Sequence, residues 1–223
     1  MVIAKLENID FAYEGSNWVL KDFNFTLSAG QKVWLSGKNG CGKSTLARIL
    51  GALQTPDYGR VELFGKLCFE SHPNLDADYK LVDDNAYKFA RKRIASVFQD
   101  PADQVVTENV TSDIAFGPQN LNWPVAEIDE AVITELDKAG LASIADRDPA
   151  TLSGGEQQLV CIASAIAQKP ELLMLDEPTA YLDAQNKHKF NRLVQKIDDD
   201  VAIVYITHDD ISDIHRNLEK ISL

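Results

Sequence analysis

The sequence predicts an α/β fold: a parallel-sheet core, a small antiparallel sheet beside it, and a helical stretch inserted between two of the core strands. Three continuous apolar runs carry that expectation. IASVFQ (Ile94 to Gln99), ELLMLD (Glu171 to Asp176) and VAIVYIT (Val201 to Thr207) each end in polar residues, as strands buried on both faces do when their carboxyl ends carry a site. The second observation is helical spacing over Thr107 to Leu121, Val125 to Leu141 and Ser153 to Lys169, all lying between the first two runs. The third is a glycine-spaced loop, GKNGCGKST (Gly37 to Thr45), set where a strand feeds a helix.

Each element follows in chain order. Val2 to Tyr13, Val19 to Leu27 and Arg60 to Phe64 read as antiparallel strands, with turns at Glu14–Asn17 and Asp57–Gly59. KVWLS (Lys32 to Ser36) reads as a buried strand, and Thr45 to Leu53 has helical spacing. The segment from Lys66 to Lys92 gives no clear pattern. The whole is expected to be one domain over 1–223, with 1–99 and 170–223 forming the sheets and about 100–169 forming a helical subdomain.

With 223 residues, 45% of them hydrophobic and 25% charged, the chain has ample material for a core. A net charge of −12 argues against a sequence-independent binder of nucleic-acid backbone, so no nucleic-acid partner is expected. The longest apolar runs fall far short of the roughly 18 residues that span a bilayer, and the N-terminal residues lack the shape of a signal peptide. A cytoplasmic chain is therefore expected, with any membrane role exerted through a partner. Cys41, Cys68 and Cys161 are too scattered for a metal site and read as reduced thiols.

The chemistry begins in the glycine-spaced loop. Gly37, Gly40 and Gly42 allow the backbone to turn its N–H groups around a phosphate chain, Lys43 adds a point charge for the β/γ-phosphates, and the Ser44 hydroxyl suits Mg²⁺. Cys41, inside the loop, is expected to be a reactive thiol that bound nucleotide covers. LLMLDEP (Leu172 to Pro178) then places two carboxylates at a strand's end: Asp176 to organise a metal, Glu177 to act as general base. LSGGEQQ (Leu152 to Gln158) opens a helix with bare backbone N–H groups, a second anion site or simply a capping box closed by Glu156.

The succession LSGGEQQ, LLMLDEPTAYLD, ITHDD strongly resembles the ATP-binding cassette (ABC) ATPases over nearly the whole chain. That resemblance implies a P-loop NTPase (RecA-like) core that takes ATP with Mg²⁺. It places the adenine-stacking aromatic at Tyr13 and the phosphate loop at Gly37, Lys38, Asn39, Gly40, Cys41, Gly42, Lys43, Ser44 and Thr45. The Q-loop glutamine falls at Gln99, and the signature at Ser153, Gly154, Gly155 and Glu156. Asp176 becomes the metal-binding aspartate beside Ser44 and Gln99, Glu177 the catalytic glutamate, Asp183 the D-loop aspartate, and His208 the switch histidine. In this family two cassettes dimerise head to tail, as homo- or heterodimers, and each signature caps the partner's ATP. Two positions depart from the pattern, Leu159 where arginine is common and Tyr181 where a small residue is usual, and both are read as marks of a partner-specific interface.

VFQDPADQVVTENVTSDIAFGPQNL (Val97 to Leu121) narrows the resemblance to the ATPase components of energy-coupling factor importers, which take up vitamins or transition-metal ions. There, two ATPases drive a transmembrane coupling subunit joined to a substrate-capture membrane protein, so the chain would sit peripherally on the inner face of the membrane. Asp100 to Gln104 would receive the coupling helices. Other ABC transporter classes are the nearer alternative. A soluble ABC ATPase of DNA repair or translation is the distant one, disfavoured by the acidic charge and by the short stretch between Lys43 and Ser153.

Overall fold

The computed structural model describes residues 1–15, 17–38, 40–72, 79–215 and 217–223. β1 (Val2–Ala12) and β2 (Trp18–Ser28) pair antiparallel, as the short turn expected between them requires. β3 (Lys32–Ser36) follows and delivers the chain to α1 (Lys43–Leu50). The antiparallel sheet is completed by β4 (Tyr58–Leu63), β5 (Lys66–Ser71) and β6 (Lys80–Val82), in the order β2-β1-β4-β5-β6. β5 and β6 lie in the segment that shows no clear sequence pattern. β6 is three residues long and exposed, so it carries little burial signal; β5 forms by pairing with the edge of β4, and β6 in turn by pairing with β5. α2 (Asp84–Arg91) also falls there, started by Asp83, whose side chain accepts from the N–H groups of Asn85 and Ala86.

β7 (Ile94–Val97) ends two residues earlier than the apolar run predicts, which leaves Gln99 on the loop beyond it. α3 (Val110–Asn120), α4 (Val125–Ala139) and α5 (Gly154–Ala167) form the helical stretch. α3 starts three residues after the expected Thr107 because Asn109 caps it, its side chain accepting from Ser112 N–H at 2.8 Å. β8 (Leu172–Asp176), α6 (Ala184–Val194), β9 (Ala202–Ile206) and β10 (Leu218–Ser222) complete the chain. The second sheet is parallel, in the order β10-β3-β9-β8-β7. β10 carries no apolar run: it is a largely exposed edge strand, specified by its pairing with β3.

The parallel sheet divides the core, which explains its unbroken apolar strands. Leu173, Leu175, Ile203 and Tyr205 point to one side and join Ile114, Val132 and Ile162 of α3–α5. Their neighbours Leu172, Met174, Val204 and Ile206 point to the other side and join Leu46 and Ile49 of α1 and Leu6 and Phe69 of the antiparallel sheet. Truncating one of these fully buried leucines to alanine costs about 2–5 kcal/mol. The same packing fixes where β3, β7, β8 and β9 end, and all four release their polar residues at one edge of the sheet. Among the described residues, no helix is long and apolar enough to cross a membrane.

Candidate functional site

At that edge lies a cleft of about 620 Å³, lined by Tyr13, Gly40, Gly42, Lys43, Ser44, Thr45, Gln99, Asp176, Glu177 and His208, with Val19 and Ile206. The fold thus gathers ten of the residues singled out in the sequence, drawn from both sheets. Gly37, Lys38 and Cys41 belong to the same loop without lining the cleft. Asn39 lies outside the described residues. Ser153, Gly154, Gly155, Glu156 and Asp183 are not brought to this cleft.

The loop depends on two glycines in particular. Gly42 caps α1 with φ of +101°, and a Cβ there would come within 3.0 Å of Leu20 Cδ2 and 3.1 Å of the Val19 carbonyl oxygen. A Cβ on Gly37 would strike Cys41 Sγ at 2.7 Å and the Leu223 carbonyl oxygen at 2.8 Å. α1 has no side-chain cap, so its first N–H groups are left for a ligand. Lys43 is buried, and its Nζ donates to the carbonyl oxygens of Gly37 at 2.8 Å and Lys38 at 3.0 Å. Cys41 Sγ lies 3.8 Å from the same ammonium, whereas burial pushes the thiols of Cys68 and Cys161 up to about 11 and about 12, as inert core thiols require.

Tyr13 stands at the rim, 43% exposed, its hydroxyl 3.2 Å from Thr45 Oγ1 and accepting from Arg48 at 3.4 Å. Phe11 packs edge-on to its ring at a centroid distance of 5.0 Å, which steadies the ring for stacking on a flat ligand.

The two carboxylates differ sharply. Burial, and after it the neighbouring charge of Glu177, pushes the Asp176 carboxyl up to about 6. Glu177 adopts φ of +46°, a left-handed conformation unfavourable for a side chain of its size, and its N–H donates to the Ile206 carbonyl at 2.7 Å. Its Oε2 accepts from Thr207 Oγ1 at 2.9 Å, and its Oε1 lies 3.7 Å from His208 Nε2. Thr207 was read from the sequence only as the end of a strand; no local pattern marks a threonine for this contact. β9 in fact stops at Ile206, so His208, like Gln99, sits on a loop past its strand, half exposed and free to turn.

Gln104 is a second residue whose role the sequence did not reveal. Its amide oxygen accepts from Phe98 N–H at 3.0 Å and its amide nitrogen donates to the Ser96 carbonyl at 2.8 Å, bracing the segment that carries Gln99. Its polar atoms are thus used internally, while the residue itself remains half-buried. Asp103, one residue before, is exposed.

At the start of α5, Ser153 and Glu156 form a complete capping box: Ser153 N–H and Oγ donate to Glu156 Oε2 at 2.9 and 2.7 Å, and Glu156 N–H donates back to Ser153 Oγ at 3.4 Å. Those hydrogen bonds hold the Glu156 carboxyl below its ordinary range. Gly155 permits the close approach of α6, because a Cβ there would lie 2.7 Å from Asn186 Nδ2 and 3.2 Å from the Tyr181 carbonyl oxygen. Tyr181 is 47% exposed beside Gly154, in keeping with an interface residue, but Leu159 is fully buried inside α5's packing and marks no interface of the single chain. Asp183 caps α6, its side chain accepting from Asn186 N–H at 2.8 Å.

This arrangement matches known proteins. The model of the ABC transporter family matches residues 20–180. A cobalt import ATP-binding protein CbiO from Syntrophus aciditrophicus is 39% identical over 218 residues, covering 96% of this chain and 73% of the relative. A putative ABC transporter ATP-binding protein from Bifidobacterium longum is 39% identical over 94% of this chain, which spans only about a quarter (26%) of that relative's length. Among solved structures, cbiO1 from Clostridium perfringens, part of the ABC transporter complex cbiONQ, superposes with a TM-score of 0.76 at 30% identity, covering 93% of this chain and 79% of that one. A dimeric post-hydrolysis state of the ATP-binding cassette MJ0796, bound to ADP and Pi, gives 0.81 at 28% identity over 99% of this chain and 94% of that one. With most of its length matched by the family and its glycine loop, paired carboxylates and histidine on one cleft, the chain belongs to the ABC transporter family.

Proposed function

We propose that this chain binds ATP with Mg²⁺, hydrolyses it, and as one of a head-to-tail pair of cassettes powers an importer of the energy-coupling factor type for a vitamin or transition-metal ion. The observation that carries the reading is the convergence of Lys43, Gln99, Asp176, Glu177 and His208 on one cleft large enough for a nucleotide. Ser44, Gln99 and Asp176 offer a hard, all-oxygen donor set, and a half-buried carboxylate with a raised pKa is one that gains from a cation, so the residues fit Mg²⁺. Bound there, the ion would neutralise charge on the β- and γ-phosphates. Glu177 Oε1, the oxygen not taken by Thr207, is placed to accept a proton from an attacking water, and His208 stands beside it to hold the γ-phosphate. Ser153–Glu156 lie outside their own chain's cleft, which supports their capping a partner's ATP; the dimeric relative with ADP and Pi fits the same reading.

A groove of about 390 Å³ beyond Gln99, lined by Gln104, Val106, Asp113, Phe116, Gly117 and Leu121, supports the membrane partner. Val106 and Phe116 in its lining are 63% and 46% exposed, an apolar rim suited to a docking helix. The CbiO and cbiO1 relatives favour the importer class; a net charge of −12 disfavours a role in DNA repair or translation. Phosphate release from MgATP by the purified chain, followed by pull-down of membrane proteins encoded beside it, tests both parts. Failure to bind ATP would overturn the ATPase reading. Unchanged pull-down and uptake with Asp103→Arg and Phe116→Glu would overturn the coupling surface.

A further inference from the structure

Two rungs of hydrogen bonds join the loop after β8 to the loop after β9. In the first, Thr207 Oγ1 donates to Glu177 Oε2 at 2.9 Å and accepts from Asp209 N–H at 3.0 Å. A hydroxyl has one proton, so with the backbone N–H acting as donor on one side, that proton is committed to the carboxylate on the other. In the second, Asp209 Oδ2 accepts from Thr179 Oγ1 at 2.8 Å and from Lys187 Nζ at 2.9 Å. Glu177 and Thr179 lie on one loop, Thr207 and Asp209 on the other, and Lys187 adds α6 to the set. Trp34 of β3 fixes the same corner, its Nε1 donating to the Thr207 carbonyl at 3.0 Å.

We propose that Thr207 and Asp209 are positioning residues: Thr207 turns the Glu177 carboxylate so that one oxygen faces the cleft, and Asp209 clamps the His208 loop to the segment that follows the paired carboxylates. Thr207 is 1% exposed and the Glu177 side chain 18%, so their contact is largely shielded from water, where a hydrogen bond to a charged oxygen is strengthened; the Asp209 carboxylate is 46% exposed, so the second rung is the weaker. The contact engages Oε2 alone and leaves Oε1 near His208. Glu177 lies just past the end of β8 at Asp176, outside the strand's own hydrogen-bond ladder, and the Thr207 hydroxyl constrains its carboxylate there. A buried β-branched residue that merely fills space would be served equally well by valine, and that difference makes the idea testable.

The inference rests on Glu177 being the general base, and four single variants with one double variant separate the two. Thr207→Val preserves shape and deletes the hydroxyl; we expect kcat to fall about 10-fold or more, as small misplacements of a reacting group do, with the ATP KM within twofold of wild type. Thr207→Ser should recover most of the rate, and Asp209→Asn should lose less than Thr207→Val. In a Glu177→Gln background, measured in single turnover, Thr207→Val should add nothing further. Thermal melts of each variant exclude unfolding as the cause. A wild-type kcat for Thr207→Val, a Ser variant as slow as Val, or an undiminished Thr207→Val effect in the Glu177→Gln background would each overturn the positioning role. Normal turnover by Glu177→Gln alone would instead overturn the base assignment and the positioning role with it.

Discussion

α1 and α5 both begin in glycine-rich sequence, and both satisfy the chemical requirements for binding an anion, but they solve the problem of a bare helix start in opposite ways. α1 is capped by Gly42 in a left-handed conformation with no side-chain acceptor, opens onto the cleft, and has the buried Lys43 ammonium at its first position. α5 carries its own anion: the Glu156 carboxylate takes Ser153 N–H and its hydroxyl in a closed capping box away from that cleft. An open helix start thus leaves its N–H groups facing the cleft of its own chain. A self-capped one is stable alone, and Ser153 must exchange its bond to Glu156 before its hydroxyl can serve an outside phosphate.

The largest expected effect tests whether all the hydrolytic chemistry belongs to the open side. Glu177→Gln should keep ATP binding while lowering kcat roughly 10²–10⁴-fold, and normal turnover would break the assignment. Next, Lys43→Ala should weaken ATP binding by about 100-fold, since no other ammonium in the loop lines the cleft. Ser153→Ala should leave ATP affinity of the lone chain within twofold of wild type and slow steady-state turnover. Equal affinity losses at the two positions, measured by titration calorimetry, would erase the contrast between the helix starts.

A third experiment uses pH. The folded state raises the Asp176 pKa from 3.8 to about 6, so folding takes up a proton between those values. Stability without nucleotide therefore declines as pH rises from about 4 to about 6, and the full penalty persists above that window. Asp176→Asn should remove it, stabilising the nucleotide-free chain at pH 7 by about 1–2 kcal/mol after allowance for solvent screening, and by nothing below about pH 4. A melting temperature unchanged by the substitution at pH 7 would contradict the burial penalty. The smallest effect belongs to the self-capped side. Glu156→Ala should cost about 1 kcal/mol of stability at neutral pH. Because Glu156 has a depressed pKa, its contribution is complete above its ordinary value of 4.5 and is lost as pH falls through its folded one, so wild type and variant should converge in acid.

How much of this was legible in the sequence varied with the kind of interaction. The buried parallel strands announced themselves because a strand covered on both faces must be apolar at every position, and Leu172–Leu175 and Ala202–Ile206 satisfy that without exception. The phosphate loop was legible for a similar reason: it requires glycine at fixed points, as the left-handed φ of Gly40 and Gly42 bears out. β6 and β10 were not legible, since exposed edge strands take their identity from the neighbour they pair with, and β5 lacks the unbroken apolar run of the parallel strands. The roles of Gln104 and Thr207 were hidden because each is a single polar side chain whose partners are set by where two loops meet. The amino-acid order alone specifies the parallel core, the phosphate loop and the succession of motifs, because burial and backbone geometry restrict residue type locally. It took the packing of distant segments to hold Glu177 by Thr207, to steady Gln99 by Gln104 and to close the signature on its own carboxylate. A hydrogen bond needs only a donor and an acceptor within about 3 Å, and most polar residues can supply one.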